Sequence, residues 1–429
     1  MKYALVNPNW DFKGSTYFGC QDAHYPLELL FAFDKIREAG HEPLLVDAQN
    51  DALTIEEAGR QVSAFGPDFI VIPTAPSYLF WRCPPPEVRV PKEWFAGLGN
   101  GKAVKVAIGP HTSATPAAAM RKMNVDVAFR GEADLGLAQL GDQPWKDIEG
   151  CCFRDESGLQ LSPTLGVVDM KTLHALDFHN YNVERHKHRH HVFYGDGHGA
   201  ELEFARGCPW SCNFCNKTLF RNKFREREVE EVLQEIDRVV ARGVDYIYFI
   251  DEIFGVGKNV RKLLEGIAER QVNIGFQSRI DLWDEETLDL LGRAHTISME
   301  CGIESITDEG RDELNKNCRM STERLSELLI YARQRIPWVQ ANLILTPHDD
   351  KGEIRRWQAN LKANGVWVSE PVPMFPFPGT PLYTQLFGAP DDQAWERAHH
   401  YYTSTFSDKG YSDIQEQKPV PIEDLECTC

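Results

Sequence analysis

The stretch Arg206-Gly-Cys-Pro-Trp-Ser-Cys-Asn-Phe-Cys-Asn-Lys217 decides how the rest of the chain is interpreted. It places Cys208, Cys212 and Cys215 in the spacing C-x3-C-x2-C. Three thiolates this close can hold three corners of a [4Fe–4S] cube, because soft sulfur ligands suit iron–sulfur clusters. The next cysteine is Cys301, so one iron keeps an open coordination position. An open position on a metal centre is where substrate chemistry can take place.

Two other metal sites compete with this interpretation. A zinc site shows two separated ligand pairs, and a ferredoxin needs four cysteines at set spacings. Cys301 or Cys318 would have to close such a site from a distance. The x3-then-x2 spacing fits both alternatives badly, yet a non-catalytic iron–sulfur or zinc protein stays an open hypothesis.

The cysteine spacing, with an aromatic residue directly before the third cysteine, resembles the signature of radical S-adenosylmethionine (SAM) enzymes. In that family the open iron chelates the amino and carboxylate groups of SAM. An electron from the cluster then cleaves a carbon–sulfur bond, usually giving a 5′-deoxyadenosyl radical. The resemblance implies that Cys208, Cys212 and Cys215 are catalytic cluster ligands and that Phe214 packs against the adenine. It also implies an electron donor such as flavodoxin or ferredoxin.

Composition limits the class of protein. A chain of 429 residues suggests two or three domains. The net charge of −18 and the pI near 5.3 argue against a nucleic-acid partner, which would require a basic surface. No apolar run reaches the length of a membrane span, and the opening Met-Lys-Tyr-Ala-Leu-Val indicates a strand. Eleven cysteines, three of them in a cluster motif, favour a reducing cytoplasm.

Residues 1–145 alternate short apolar strands with helical patterns, which predicts a doubly wound parallel sheet of flavodoxin or Rossmann type. Ligands of such sheets bind outside the carboxyl ends of the strands. One helix is predicted over residues 27–39, with Gly40 as its stop signal. The predicted strands are 3–7, 43–47, 69–73, 104–108 and 125–129.

This layout is similar to the cobalamin-binding domain that precedes the core in one large subgroup of radical SAM enzymes. The similarity is carried by Tyr25-Pro-Leu27, Glu38-Ala-Gly-His-Glu42, Gly109-Pro-His111 and Arg130-Gly-Glu132. It implies cobalamin as a further cofactor, with Gly109 and His111 as contacts. The chain lacks the D-x-H-x-x-G motif of a cobalt ligand, and Trp81-Arg-Cys-Pro-Pro-Pro86 adds bulk to a loop expected at the corrin. A flavodoxin-like scaffold without cobalamin is the alternative.

Residues 146–200 form a connector without sustained periodicity. Cys151-Cys-Phe-Arg154 followed by Asp-Glu-Ser-Gly158 predicts a small hairpin. Histidine-rich tracts can bind metals, but interleaved Arg and Lys residues favour a solvated loop here, from which one histidine could serve as an acid or base. The histidines concerned are His174, His179, His186, His188, His190, His191 and His198.

Residues 201–385 repeat strand and helix six times, too few for a full eight-unit barrel. The repeat matches the partial (β/α)6 TIM-type barrel of the radical SAM family, whose catalytic groups follow the strands. Helices are predicted over 228–241, 285–291 and 321–334. The predicted strands are 202–205, 246–251, 274–278, 296–301, 341–345 and 366–374.

Polar residues follow successive strands of this barrel. Asp251 and Glu252 stand where the family meets the SAM amino group with acidic residues, because an ammonium needs a charge-assisted acceptor. The Arg279 guanidinium is expected to pair with the SAM carboxylate. Glu304 and Ser305 lie at the ribose-contacting strand of the family pattern, where they can bond sugar hydroxyls. An ordinary surface or helix-cap role is the alternative for each residue alone.

The chain ends in an extension, residues 386–429, that carries Cys427 and Cys429. The family resemblance favours alkylation of a small molecule, most often by cobalamin-assisted methyl transfer. A rival reaction transfers the 3-amino-3-carboxypropyl arm of SAM to a thiophilic acceptor such as trivalent arsenic. It resembles the radical SAM step of arsinothricin biosynthesis and would employ the two terminal thiols.

Overall fold

The structure is a computed structural model that describes residues 1–10, 23–77, 84–98, 101–178, 181–186, 198–219 and 221–407. The chain forms two compact units. Unit 1 comprises Met1–Asp169, Leu219–Arg221 and Phe375–Cys429, and unit 2 comprises Met170–Thr218 and Asn222–Met374. Within the described ranges, every helix is too short or too polar to cross a bilayer. Cys427, Cys429 and His179, His188, His190 and His191 lie outside the described residues.

Unit 1 is built on a seven-stranded sheet of order β2-β1-β3-β4-β5-β6-β7, in which β1 to β5 are parallel. This order places a topological switch point between β1 and β3. The elements are β1 Lys2–Asn7, α1 Leu27–Glu38, β2 Glu42–Asp47, α2 Ile55–Phe65, β3 Phe69–Pro73, α3 Arg89–Gly97, β4 Val104–Ile108, α4 Pro110–Ala114, α5 Pro116–Met123, β5 Val127–Phe129, α6 Asp134–Gln139, β6 Cys151–Asp155 and β7 Gly158–Gln160.

Alternate residues of each strand bury two separate cores, one on each face of the sheet. Ala4 and Val6 of β1 belong to one core, whereas Tyr3 and Leu5 belong to the other. Both faces are therefore covered, as a doubly wound sheet requires. The predicted fold class and all five predicted strands of unit 1 are confirmed, and β3 and β4 have the predicted bounds.

The hairpin of β6 and β7 extends this sheet. Both strands pair antiparallel, with Phe129 of β5 opposite Cys151 of β6. The hairpin that the sequence placed in a connector therefore lies in unit 1. Antiparallel edge strands add to a parallel sheet through a short connection, which no local pattern distinguishes from a free-standing hairpin.

Unit 2 is a six-stranded parallel sheet in which the strands are neighbours in chain order, β15-β14-β13-β12-β11-β8, which is the partial (β/α)6 barrel predicted. A two-stranded sheet of β9 and β10 accompanies it. The elements are β8 His198–Leu202, β9 Ala205–Arg206, β10 Arg225–Glu226, α7 Val229–Val240, β11 Val244–Phe249, α8 Val260–Ala268, β12 Asn273–Ser278, α9 Glu285–Arg293, β13 Thr296–Glu304, α10 Asp308–Glu313, α11 Thr322–Arg333, β14 Trp338–Leu343, α12 Lys351–Ala363 and β15 Trp367–Val368.

All six predicted barrel strands differ somewhat in their bounds from those in the structure, and the first and the last differ most. The first was expected at 202–205, but β8 ends at Leu202. The last was expected at 366–374, but β15 covers only Trp367–Val368, with an isolated bridge from Val372 to Ile344. Pro371 and Pro373 flank that bridge and have no N–H to donate, so a continuous strand cannot form there.

The chain returns to unit 1 with α13 Pro381–Phe387 and α14 Ala394–Ser407. Trp395 of α14 donates from Nε1 to the Thr115 hydroxyl at 2.9 Å. Its ring centroid lies 4.3 Å from that of His111. Lys122 of α5 forms an ion pair with Glu396. The start of the C-terminal extension is thus a packed part of unit 1.

Candidate functional site

The cysteine loop, residues 206–217, begins where the side chains of Asp251 and Glu252 accept hydrogen bonds from the backbone. The two carboxylate oxygens of Asp251 accept the backbone N–H groups of Phe204 and Ala205, both at 2.9 Å. Glu252 accepts the N–H of Gly207 at 2.6 Å. These bonds explain why β8 stops at Leu202, since the next amides donate to a side chain instead of to a neighbouring strand. Asp251 and Glu252 therefore fix the entry of the loop, whatever else they bind.

The three cysteines follow this entry within ten residues, and each is a partly buried free thiol. Gly207 has φ +87°, a conformation that favours glycine and turns the chain into Cys208. A tight turn joins the other two, because the N–H of Cys215 donates to the carbonyl oxygen of Cys212 at 3.2 Å. The predicted role of the three cysteines as ligands of one [4Fe–4S] cluster stays a prediction.

Lys217 was missed as a functional residue by the sequence analysis. Its side chain is buried, and its Nζ donates to the carbonyl oxygen of Cys208 at 2.6 Å and to that of Trp210. The ammonium therefore closes the loop on itself. In the sequence, its position two residues after Cys215 was the feature that could have indicated a role in the loop.

The electrostatics of the loop depend on burial and on mutual repulsion. Burial raises the pKa of the Cys208, Cys212 and Cys215 thiols above that of a free cysteine, and Cys212 raises the pKa of both others. The Lys217 ammonium acts in the opposite direction on all three. A bound metal ion would displace these protons, because thiolates are the form that ligates.

A second segment, which follows α10, packs against the cysteine loop. Asn213 donates from its backbone N–H to the carbonyl of Leu314 at 3.1 Å and from its amide to that of Glu313 at 2.7 Å. In return the Asn315 amide donates to the carbonyl of Ser211 at 2.6 Å. Asn315 has φ +51°, a left-handed conformation that asparagine tolerates. This contact spans about a hundred residues and could not be predicted from local pattern.

Arg279 follows β12 directly and contacts the cysteine loop through Trp210, whereas its predicted pairing with the SAM carboxylate stays a prediction. Its guanidinium lies 4.5 Å from the centroid of the Trp210 ring. It makes two bonds to Asp281, at 3.0 and 2.7 Å, and donates to the carbonyl oxygen of Lys316 at 2.7 Å. Arg279 and Lys316 both lower the pKa of the Cys212 thiol, so their positive charges lie near that ligand.

Glu304 ends β13 with φ +69°, which turns its carboxylate back along the strand. A Cβ at Gly302 would lie 2.2 Å from the Glu304 Oε1, so only glycine leaves room for this carboxylate. Lys316 Nζ lies 3.4 Å from the same oxygen. After burial, the negative charge of Glu304 also raises the pKa of the Cys212 thiol.

Ser305 and Phe214 differ in exposure. The Ser305 side chain is fully buried, and its hydroxyl donates to Asp349 at 2.8 Å and accepts the Thr307 N–H at 3.1 Å. This network stabilises the turn into α10. Phe214 is half-buried next to Cys215. The expected contacts of both residues with SAM stay predictions.

Cys301 and Cys318 are the two cysteines outside the loop that could close a four-cysteine site. Cys301 is fully buried in β13, and burial raises its pKa. Cys318 is half-buried and contacts the carbonyl of Met320 at 3.9 Å. Asp281 and burial both raise the Cys318 pKa.

Among the described histidines of the histidine-rich tract, His174, His186 and His198, only His186 is fully buried. The solvated loop predicted for it is wrong, because its ring is fully buried. Its Nε2 lies 2.9 Å from the Glu201 carboxylate and its Nδ1 lies 2.9 Å from the Gly199 carbonyl oxygen. Alternation within β8 directs Glu201 inward, which a sequence pattern around His186 does not reveal.

In unit 1 the predicted cofactor contacts Gly109 and His111 lie at the carboxyl end of β4. Gly109 has φ +122° and accepts the hydroxyls of Thr112 and Ser113 at 2.9 and 2.7 Å. His111 is buried, and its Nε2 lies 2.9 Å from the carbonyl oxygen of Pro85. Burial lowers the His111 pKa to about 3, so the imidazole is neutral.

Comparison with known proteins agrees with this geometry. Residues 202–357 match the Radical SAM superfamily. Hopanoid C-3 methylase of Methylococcus capsulatus is 27% identical over 356 residues, which cover 77% of this chain and 64% of that protein. The anaerobic magnesium-protoporphyrin IX monomethyl ester cyclase of Synechocystis is 25% identical over 340 residues, covering 76% and 65%. The chain thus spans slightly less than two thirds of these relatives.

Among solved structures, the fold is similar to the radical SAM methyltransferase TsrM of Kitasatospora setae, solved with cobalamin and a [4Fe–4S] cluster bound. The TM-score is 0.72 at 16% identity, over 89% of this chain and 76% of that one. The family match covers the cysteine loop and most barrel strands, and the structural match extends to the N-terminal sheet. These comparisons show a Radical SAM domain over residues 202–357 and a fold like that of TsrM over most of the chain.

Proposed function

We propose that this chain is a radical SAM methyltransferase that alkylates a small-molecule acceptor. The observation that carries the proposal is the cysteine loop, in which three mutually coupled thiols are closed by Lys217 and anchored by Asp251 and Glu252. Methyl transfer is the reaction named for the hopanoid methylase and for TsrM. The names of those two proteins do not identify the molecule that this chain methylates.

The chemistry of the donor set fits a [4Fe–4S] cluster. Cys208, Cys212 and Cys215 supply three soft ligands, and no fourth protein ligand is needed when SAM completes the site. When bound, the cluster supplies the electron that cleaves a carbon–sulfur bond of SAM. The protein contributes the placement of the loop and a positive field from Lys217, which favours the thiolate forms.

SAM carries an ammonium, a carboxylate and a ribose, and groups of matching chemistry surround Cys212. Glu304 offers a carboxylate held by the left-handed turn of its own backbone. Arg279 offers a guanidinium fixed by Asp281 and by the Trp210 ring. We assign Glu304 to the hydroxyl or ammonium groups of SAM and Arg279 to its carboxylate, because charge-assisted bonds of this kind give the strongest orientation.

One observation supports the proposal that the described part of unit 1 holds cobalamin. The Thr74 hydroxyl at the carboxyl end of β3 is fully buried and has no hydrogen-bond partner within the described residues. It lies at the switch point, where doubly wound sheets bind ligands. A buried hydroxyl without a partner is costly, and the amide-rich side chains of a corrin would satisfy it. We therefore propose Thr74, Gly109 and His111 as the region that meets the cofactor.

The decisive experiment is product analysis after anaerobic reconstitution with iron, sulfide and cobalamin, followed by SAM and a reductant. S-Adenosylhomocysteine or 5′-deoxyadenosine supports methyl transfer. Formation of 5′-methylthioadenosine instead would favour transfer of the 3-amino-3-carboxypropyl arm and would overturn the methyltransferase assignment.

Two cysteine variants separate an enzyme from a four-ligand metal protein. Cys212→Ala is expected to lose most of the bound iron and all SAM cleavage. Cys318→Ala is the matched control and is expected to keep both. Loss of iron in Cys318→Ala, or a reduced-cluster spectrum that SAM does not change, would favour a non-catalytic iron–sulfur protein.

A further inference from the structure

The strands β13 and β14 have two unlike faces. Met299, Cys301 and Ile303 alternate with residues that are only partly buried, and the same alternation continues in β14. The partly buried face carries Glu300 and Gly302 in β13, and Trp338, Gln340 and Asn342 in β14. The opposite face of both strands is apolar and buried. One side of this sheet is thus a hydrophobic core and the other is polar.

Residues of the polar face stand in register across three strands. Gln277 of β12 pairs with Glu300, and Glu300 pairs with Gln340. The Gln277 amide donates to the Glu300 carboxylate at 2.9 Å, and the Gln340 amide donates to Asn342 Oδ1 at 2.7 Å. We call Gln277, Glu300, Gln340 and Asn342 the polar row.

A polar row of this kind is unusual inside a β/α barrel. The interior of a closed barrel is a packed core dominated by Val, Ile and Leu. Burying amides and a carboxylate costs free energy unless each is hydrogen-bonded. Here each of these side chains keeps a partly exposed surface, on a sheet of six strands.

Two indole rings lie on the same face. Trp338 donates from Nε1 to the Gln340 side-chain oxygen at 3.3 Å. Trp367 of β15 is opposite Gln340 in register, and its ring centroid is 6.0 Å from that of Trp338. Indole faces attract cations, and carboxylates do so more strongly. The combination suits an organic molecule that carries a protonated amine.

The polar row shares its face with Glu304, whose carboxylate folds back over Gly302. Glu300 is four residues earlier in the strand, about 13 Å deeper at the rise of a parallel strand. Glu304 is the residue that we propose for SAM, so the row lies on the same face of β13 as the proposed SAM contact.

We infer that the polar row binds the acceptor substrate and that this acceptor is a small polar molecule with a protonated amine, not a large hydrocarbon. The inference rests on the proposed function for its chemistry, but the binding preference is testable without turnover. Glu300 is the residue expected to determine specificity, because it is the carboxylate of the row.

The test measures ligand binding by saturation-transfer NMR on the anaerobic full-length protein. The probes are tyramine and its neutral analogue 4-ethylphenol, with excess S-adenosylhomocysteine present to occupy the site for the amino acid portion of SAM. Tyramine is expected to bind at least about tenfold more tightly than 4-ethylphenol. Glu300→Gln is expected to abolish that preference, since a lost charge-assisted bond is worth about a factor of ten or more.

Glu265→Gln, which neutralises an exposed carboxylate of α8, is the matched control and should keep the wild-type preference. Equal binding of the two probes to the wild type would overturn the inference, as would an unchanged preference in a Glu300→Gln protein that keeps its wild-type circular dichroism. SAM cleavage by the wild type without acceptor is measured separately. Cleavage without amine preference rejects only the substrate class, whereas absence of cleavage rejects the proposed function.

Discussion

Lys217 is the residue whose side chain does most to close the cysteine loop. Its ammonium bonds the carbonyl oxygens of Cys208 and Trp210, on either side of Pro209. These two bonds define the shape of the loop that carries the three cysteines. Pre-formed ligands bind a metal without the entropic cost of ordering the loop.

Replacing Lys217 with Met removes this closure and leaves two partly buried carbonyl groups without their donor. We expect a loss of about 1–3 kcal/mol in the free energy of unfolding. Iron retention after reconstitution should also fall. Iron and sulfide per chain, together with urea unfolding, measure both effects. Lys223→Met, at an exposed lysine nearby, is the control and should match the wild type. Full iron content in Lys217→Met would contradict the assignment.

Gly302 leaves room for the carboxylate of Glu304, which lies two residues further along β13. A methyl group there would collide with Glu304 Oε1, which must then leave its place near Cys212. The predicted SAM contact is thus tested by a residue that cannot itself bind SAM.

We expect Gly302→Ala to raise the KM for SAM about tenfold, the effect of losing one charge-assisted bond. Iron content should not change, because the cysteine loop is untouched. SAM-cleavage kinetics with cluster content give the two readouts. Gly59→Ala, where a Cβ would lie 3.8 Å from its nearest neighbour, should leave both unchanged. A normal KM in Gly302→Ala would argue that Glu304 does not contact SAM.

At the scale of elements, the end of β11 anchors the start of the cysteine loop. Asp251 is almost fully buried, and both of its oxygens accept backbone N–H groups from the residues after β8. Because β8 and β11 are parallel neighbours, with Leu202 opposite Phe249, the clamp spans adjacent strand ends. A sheet edge thereby positions a loop that carries metal ligands.

Asp251→Asn should disrupt this clamp, since an amide offers one acceptor and turns its NH2 group toward a backbone donor. We expect a loss of about 3 kcal/mol in the free energy of unfolding, because one buried backbone N–H group is left without its acceptor. Asp245→Asn, on an exposed position of the same strand, should stay within about 0.5 kcal/mol of the wild type. Similar unfolding curves for the two variants would show that the clamp contributes little.

At the scale of the whole molecule, stability should depend on pH through His111. Burial lowers its pKa to about 3 in the folded chain, whereas an exposed histidine titrates near 6.5. Below pH 6.5 the unfolded chain binds a proton that the folded chain does not, so stability falls as the pH falls from about 6.5 toward 3. His399, with a pKa lowered to about 4 by burial, acts in the same direction.

Between pH 7.5 and pH 5.5, His111 alone should cost the folded state about 1.4 kcal/mol. His111→Gln should lack that part of the pH dependence. Urea unfolding at the two pH values measures it. His348→Gln, at an exposed histidine, should retain the full wild-type dependence. Equal pH dependence in wild type and His111→Gln would mean that His111 titrates normally in the folded chain.

The local sequence pattern was sufficient to predict most of the strands and to propose the candidate site. The spacing of Cys208, Cys212 and Cys215 depends only on neighbours in the chain and implied the cluster. Continuous apolar runs predicted the strands of unit 1 and most strands of the barrel. A parallel sheet is buried on both faces, so each of its strands consists largely of consecutive apolar residues. Arg279 and Glu304 were predicted as SAM contacts because they follow predicted strands, and strand ends meet at one edge.

Only the tertiary structure decided which partners those residues have. Asp251 holds the amides of Phe204 and Ala205 from a position some fifty residues away, and this ended β8 earlier than the pattern predicted. Asn315 reaches Ser211, and Glu300 meets Gln277 and Gln340, through strand pairing. Such contacts depend on register and loop path, which are set by the packing of the whole sheet and leave no periodic signal in any one segment.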